Sequence, residues 1–319
     1  MCSRVDYNAN DGPLPRTPPF DSSRVINRAS PRVRCREITS DDLRVLVGLL
    51  HRGFPQRSLS EVSVDLERLA AHATPAGFPR FGFALEADGA LVGAILTIFT
   101  SVVVRGLTSI RGNVSYWYVD PAYRTYASLL AARALSRKGV TYLNVTPAHH
   151  TWRTLEAQGY HRLCNGLFAS VLLATRPGPR ARIRTFDQRV EPGPDLSHFE
   201  VRLLHDHRQY GCLSAVCTDE NGQRQPFVFG PKRWTRWKSI RLPVVTLAYA
   251  RAVDSVVHYA QPLGRYLLKR GVAVVFIDAD DKIPGLRGRY LDWGPKFYRG
   301  PNPPPLGDIA YTERVMFSL

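Results

Sequence analysis

The sequence predicts an α/β fold: a twisted mixed sheet flanked by helices, occurring as two tandem units along 319 residues. Three observations carry this. Strand-like and helix-like stretches alternate along the chain. The stretch Ser115–Leu130 passes from strand to helix across Pro121. The string Leu135-Ser136-Arg137-Lys138-Gly139-Val140, which leads into one apolar strand, is echoed by Leu267-Leu268-Lys269-Arg270-Gly271-Val272, which leads into another. A duplicated unit or two generic βαβ units would each produce that echo.

Residues 1–31, rich in Pro, Asn, Ser and Arg without apolar periodicity, read as a disordered arm. Val33–Ile38 is a first strand, and Thr39-Ser40-Asp41-Asp42 starts a helix with Leu43, Leu46, Val47 and Leu50 at helical spacing. Ser60 is the expected cap of a second helix, Val62–His72. Pro79–Leu85 and Leu91–Val104 are strands joined through Asp88-Gly89, a strong hairpin signal, and Gly93 marks a bulge or a close approach. Ser115–Val119 is a strand stopped by Pro121, which has no N–H for a ladder, and Ser128–Lys138 is a helix closed by Gly139. A short strand at Val140–Val145, a helix at Thr151–Gln158 and strand material over Tyr160–Leu173 complete a first unit, 32–175.

The Pro- and Gly-rich run at 176–194 is a linker, and 195–319 a second unit. There Phe199–Val216, Pro226–Phe229, Leu242–Tyr249 and Ile309–Phe317 read as strands, and Val253–Lys269 as one long helix.

The net charge of +16 suits partners bearing phosphate or other acidic groups. Five cysteines without a Cys-x-x-Cys pair indicate free thiols in a reducing compartment, and with no apolar signal core the expectation is a cytoplasmic protein without a membrane span. No ligand set for a structural metal is present, and Asp278-Ala279-Asp280-Asp281 lacks the glycine and glutamate of a calcium loop.

Val119, Pro121, Tyr123 and Arg124 form a Val-x-Pro-x-Tyr-Arg pattern between strand and helix. This resembles the acyl-CoA-binding motif of the GNAT superfamily, the acyl-CoA-dependent N-acyltransferases. The resemblance spans 33–173 and extends weakly over 195–319, giving tandem GNAT-like domains. It departs from the family in the turn, where Ala127 and Leu129 replace small residues that let the backbone approach a diphosphate. In the second unit the turn Ala250–Asp254 keeps neither glycine nor Val-x-Pro.

The resemblance implies acetyl-CoA or a longer acyl-CoA as co-substrate. It would be bound by Tyr118, Val119, Arg124, Thr125, Tyr126, Ala127 and Ser128, with free amides at the helix start facing the diphosphate. It also implies that a backbone N–H near Val119 polarises the thioester carbonyl. The acceptor is a small-molecule or peptide amine. The family's proton-donating tyrosine is replaced by Leu155, so His149 and His150, which follow the strand Val140–Val145, become the acid or base candidates, with Glu86 and Asp120 as alternatives. A non-catalytic acyl-CoA-binding or interaction module is the alternative reading. The cation-aromatic run Lys232–Lys238 would suit nucleic acid, but no known nucleic-acid module accompanies it, and an edge strand is the simpler expectation.

Overall fold

A computed structural model describes residues 32–104, 106–187, 189–237 and 240–317. The arm expected over 1–31 and Lys238 of the cationic run lie outside the described residues.

In the first half, β1 (Val33–Glu37) leads to α1 (Leu43–Gly53) and α2 (Leu59–Ala71). Ser58, not Ser60, caps α2: its hydroxyl accepts from the Glu61 N–H while the Glu61 carboxylate accepts from the Ser58 N–H. The strands β2 (Gly82–Ala87) and β3 (Ala90–Val104) are joined by Asp88 and Gly89, both at positive φ, as a type I′ turn requires. Next come β4 (Leu107–Val119), α3 (Ala127–Ala134), β5 (Thr141–Asn144), α4 (Trp152–Ala157), β6 (His161–Cys164) and β7 (Gly166–Ser170).

The second half holds β8 (Ala181–Thr185), α5 (His198–Gln209), β9 (Leu213–Asp219), β10 (Arg224–Phe229), β11 (Arg233–Trp237) and β12 (Ile240–Tyr249). It continues through α6 (Val253–His258), α7 (Ala260–Leu268), β13 (Val274–Ala279), β14 (Gly288–Leu291), β15 (Lys296–Arg299) and α8 (Glu313–Met316).

The α/β expectation holds, with two mixed sheets flanked by helices. One is ordered β1-β2-β3-β4-β5-β15-β6 and the other β14-β7-β13-β12-β10-β9-β8, with β11 hairpinned onto β12. Read from β1 and from β8, the two orders match place for place. Each has one parallel pair, β4 with β5 and β12 with β13, joined through helices. In each, the strand beside the second parallel member comes from the other half: β15 enters the first sheet and β7 the second. The stretch expected as continuous strand over Tyr160–Leu173 is therefore divided at Asn165, with β6 in one sheet and β7 in the other. The halves interlock, and Val33–Leu319 forms one compact unit.

Three further expectations are corrected. Phe199–Val216 is not one strand: Ser197 and Glu200 form a capping box, and Leu203, Leu204 and His207 recur on the buried face of α5, a helical period that the apolar content of the segment obscured. Val253–Lys269 is two helices, broken where Tyr259 leaves helical geometry. Ile309–Phe317 is not a strand: Asp308 just before it makes an isolated bridge to Tyr249, and Thr312 then caps α8, which buries Glu313, Val315 and Met316. The helix expected over Ser128–Lys138 spans Ala127–Ala134, and Gly139, at φ 75, lies in the turn before β5.

Candidate functional site

The parallel strands β4 and β5 pair only at Arg111–Thr141, Gly112–Tyr142 and Asn113–Leu143, and then separate. The cause lies in β4. Its register against β3 shifts between Ala94 and Leu96, and opposite that shift Tyr116 stands at φ 45, in the left-handed region that non-glycine residues rarely adopt. The surroundings hold it there. The Tyr116 hydroxyl donates to Asp65 Oδ2 at 2.6 Å, Phe54 meets its ring edge-on at 5.0 Å between centroids, and Phe317 packs at 5.7 Å. Gly93, opposite Val119, is a point of close approach: a Cβ there would lie 3.0 Å from Val119 Cγ2.

A cavity of about 740 Å³ opens between the separated ends, lined by Ser115, Tyr116, Trp117 and Tyr118 from β4, by Asn144 and the segment Thr146–Ala148 after β5, and by the loop after α1. Gly53 ends α1 against Tyr118, where even a methyl group would come 2.4 Å from the base of the ring. The Tyr118 hydroxyl donates to Asp120 Oδ1 at 3.0 Å, while Arg52 reaches Asp120 Oδ2 at 3.1 Å. Desolvation and the neighbouring Asp120 raise the Tyr118 pKa. Behind the bulge, burial raises the Asp65 pKa against the opposing effect of hydrogen bonds from Tyr116 and Arg57. Glu313 spans the gap from α8, accepting from the Asn113 amide and from Thr146 Oγ1, and its complete burial raises its pKa.

No protein-family model matches the sequence, and no curated protein is similar to it in sequence. Solved structures are similar in fold. A GCN5-related N-acetyltransferase from Anabaena variabilis superposes with a TM-score of 0.55 at 9% identity, covering 84% of this chain and 72% of that one. Eis1 from Mycobacterium abscessus does so with a TM-score of 0.50 at 14% identity, covering 84% and 73%. This is the GCN5-related N-acetyltransferase fold.

Within that fold the sequence-derived residues fall into place unequally. Tyr118, Arg124 and His150 share the cavity lining. Arg124, Thr125 and Ser128 are exposed, Tyr126 and Ala127 half-buried, and Leu129 points to solvent without closing the cleft. The free amides expected at the helix start are largely absent. Pro121–Tyr126 winds into a 3-10 turn in which the Tyr123 N–H donates to Asp120 O, and the Ala127 N–H donates to Arg124 O. Proline at the first position favours such winding, and no glycine keeps the chain open. The Asp120 N–H donates to Val92 O, so by ladder alternation the main-chain groups of Val119 face the β5 side, while its side chain is buried. His149 does not join His150: its ring packs against Trp152 at 4.4 Å and is not part of the lining. Leu155 is on the buried face of α4. Glu86 is held by Arg34 and Arg36 on β1, away from the cleft.

The matching place in the second half is filled by the chain itself. β12 and β13 pair over Val244–Thr246 and Val274–Phe276 and then part. Gly307–Ile309 then lies along the freed edge of β12, with the Ala250 N–H donating to Gly307 O at 2.9 Å and the Ile309 N–H to Ala248 O at 3.0 Å.

Sequence reasoning missed Arg57 and Arg314, both in the cavity wall. Arg57 precedes the Ser58-x-x-Glu61 cap, a local clue, but Arg314 arrives from the far end of the chain and leaves no local signal.

Proposed function

We propose that the chain is an acyl-CoA-dependent acyltransferase acting on a small-molecule or peptide amine, with the acyl-CoA taken by the first half alone. The observation that carries this is the bulged, splayed β4–β5 edge opening a cavity beside Arg124, in a chain whose second splayed edge is occupied by its own backbone. The pantetheine arm would lie against the unpaired edge of β4, with acetyl-CoA or a longer acyl-CoA as donor. Arg124 supplies a cation near the diphosphate in place of the amides wound into the 3-10 turn. In this reading the Val119 N–H, on the β5 side of β4, bonds the thioester oxygen as it gains charge. His150 is the lining histidine suited to take the amine proton. The amine nitrogen forms the new C–N bond, the C–S bond breaks, and the thiolate leaves to be protonated as free CoA.

One observation favours a second reading, a non-catalytic acyl-CoA binder: the place of the usual acid holds the buried, unreactive Leu155. Thiol release from acetyl-CoA across a panel of amines separates the two. Amine-dependent release that drops at least tenfold in His150→Ala supports the enzyme, and tight acyl-CoA binding without release on any amine supports the binder.

A further inference from the structure

We propose that the chain binds single-stranded nucleic acid along a track outside the acyl-CoA cleft, with phosphates held between β8 and α7 and a base stacked on Trp234. This is a second activity, independent of the acyltransferase reading.

A hollow of about 380 Å³ separates α7 from β8, the last strand of the second sheet. Ala181 and Ile183 alternate inward along β8, while Leu263, Tyr266 and Leu267 meet the same apolar core from α7. That leaves Arg265 and Lys269, one helical turn apart, on the solvent side. Arg180 and Arg270 complete the lining, which holds no carboxylate among the described residues. Asp219 and Glu220 line an adjoining hollow that Arg180 shares with Arg182 and Arg184, so charge there is mixed.

The cations of the first hollow have neutral partners only. The Arg270 guanidinium lies 3.7 Å from the Tyr266 ring centroid and donates to Tyr266 O at 3.0 Å and to Thr185 Oγ1 at 2.5 Å. Arg265 donates to Gln261 Oε1 at 2.6 Å. Among the described residues no carboxylate pairs with Arg180, Arg265, Lys269 or Arg270. Arg270 is therefore fixed in place with its charge uncancelled.

A fifth cation arrives from before β11. Lys232 Nζ lies 3.7 Å from where a Cβ would stand on Gly271, the residue after Arg270. The C-terminal dipole of α7 favours cations of its own last turn, but it does not account for Arg180 and Lys232, which come from other elements. Like charges gathered in this way repel each other, and a bound polyanion relieves them.

Two residues beyond Lys232 the track gains an aromatic face. β11 is the edge strand expected of the cation-aromatic run, hairpinned onto β12, and Trp234 on it is 57% exposed, with the Arg241 guanidinium 5.6 Å from the ring centroid. Cations that follow a phosphate backbone, beside an open ring on which a base stacks, match a single strand, whose bases are free to leave one another.

The test is fluorescence anisotropy of the full chain with labelled decauridylate and decathymidylate over a salt series. Five phosphate contacts give a slope of log affinity against log salt of about −3.5. The double variant Arg265→Gln with Lys269→Gln, both exposed positions, is expected to flatten the slope by about 1.4 at an unchanged thermal midpoint. Trp234→Ala should weaken binding roughly five- to a hundredfold while the slope stays the same. Saturating acetyl-CoA should leave oligonucleotide binding in place. Binding that survives the double variant, or that acetyl-CoA displaces, puts the strand elsewhere and overturns the proposal. So does an unaffected Trp234→Ala, a preference for duplex, or binding to phosphatidylserine vesicles with none to either oligonucleotide, which assigns the surface to a membrane.

Discussion

The hydroxyl of Tyr116 and the carboxylate of Asp65, 51 residues apart in sequence, are joined by a 2.6 Å hydrogen bond that fixes the β4 bulge to α2. Desolvation and Asp65 both push the Tyr116 pKa up, so the phenol keeps its proton and remains the donor. Tyr116→Phe removes that donor and leaves Asp65 dependent on Arg57. The expected loss is about 1–3 kcal/mol of stability, measured by denaturant unfolding. A change within a few tenths of a kcal/mol would show that the bulge is held by packing alone.

Gly53 permits the Tyr118 ring to lie over the end of α1, since an added Cβ would sit 2.4 Å from its Cγ. Gly53→Ala must displace the ring from the cavity wall. The expected cost is about 1–3 kcal/mol, accompanied by weaker acetyl-CoA binding in calorimetry. Full stability with unaltered binding would mean that Tyr118 relaxes without disturbing the cleft.

The two sheets are pinned by a buried ion pair: Lys296 on β15 meets Asp278 on β13 at 2.6 Å, with side chains 2% and 1% exposed. Lys296→Met strands a buried carboxylate and is expected to destabilise by about 3–5 kcal/mol, whereas the double replacement Lys296→Met with Asp278→Leu should recover most of that loss. Chemical denaturation of the three proteins checks this. Equal destabilisation by the single and double variants would contradict it.

His207 is fully buried. Its Nδ1 lies 2.8 Å from Leu203 O and its Nε2 accepts from the Tyr311 N–H, which fixes a neutral ring. Burial lowers its pKa to about 4. The unfolded chain, with an ordinary histidine near 6.5, binds a proton between these values while the folded protein does not. This contribution to stability is therefore complete above about pH 6.5 and is lost as pH falls toward 4. The thermal midpoint should drop through that window, with a shallower slope in His207→Gln. An identical slope in the variant would assign the acid sensitivity to other groups.

Local chemistry made much of this molecule legible. Asp88-Gly89 gave the hairpin, Pro121 the end of β4, and Arg124 a cation in the cavity lining, because each acts through its own backbone or its immediate neighbours. The repeated Gly-Val entries at 139–140 and 271–272 lead into β5 and β13, matching strands of two sheets with the same order. The strand exchange was hidden, because nothing within Gly166–Ser170 or Lys296–Arg299 states which sheet it will join. Arg314 reaches the cleft lining, and Glu313 is buried against Asn113 and Thr146, both from far along the chain, contacts fixed only by tertiary packing. The helix at 198–209 was legible in its capping box but was outweighed by a run of apolar residues shared with the following strand.

Arg124 is the exposed cation on the turn beside the cleft. With the turn amides wound up, Arg124→Ala is expected to weaken acetyl-CoA binding by about 1.5–3 kcal/mol, roughly ten- to hundredfold, as fits a charge-assisted phosphate contact. Affinity unchanged across a salt series would remove Arg124 from the site.

The most direct measurement is a calorimetric titration of the intact chain with acetyl-CoA, repeated with a longer acyl-CoA. One molecule bound per chain is expected, because the β4–β5 cleft is open and Gly307–Ile309 lies along the matching edge of β12. No binding of either ligand, or two equivalent sites per chain, would contradict it.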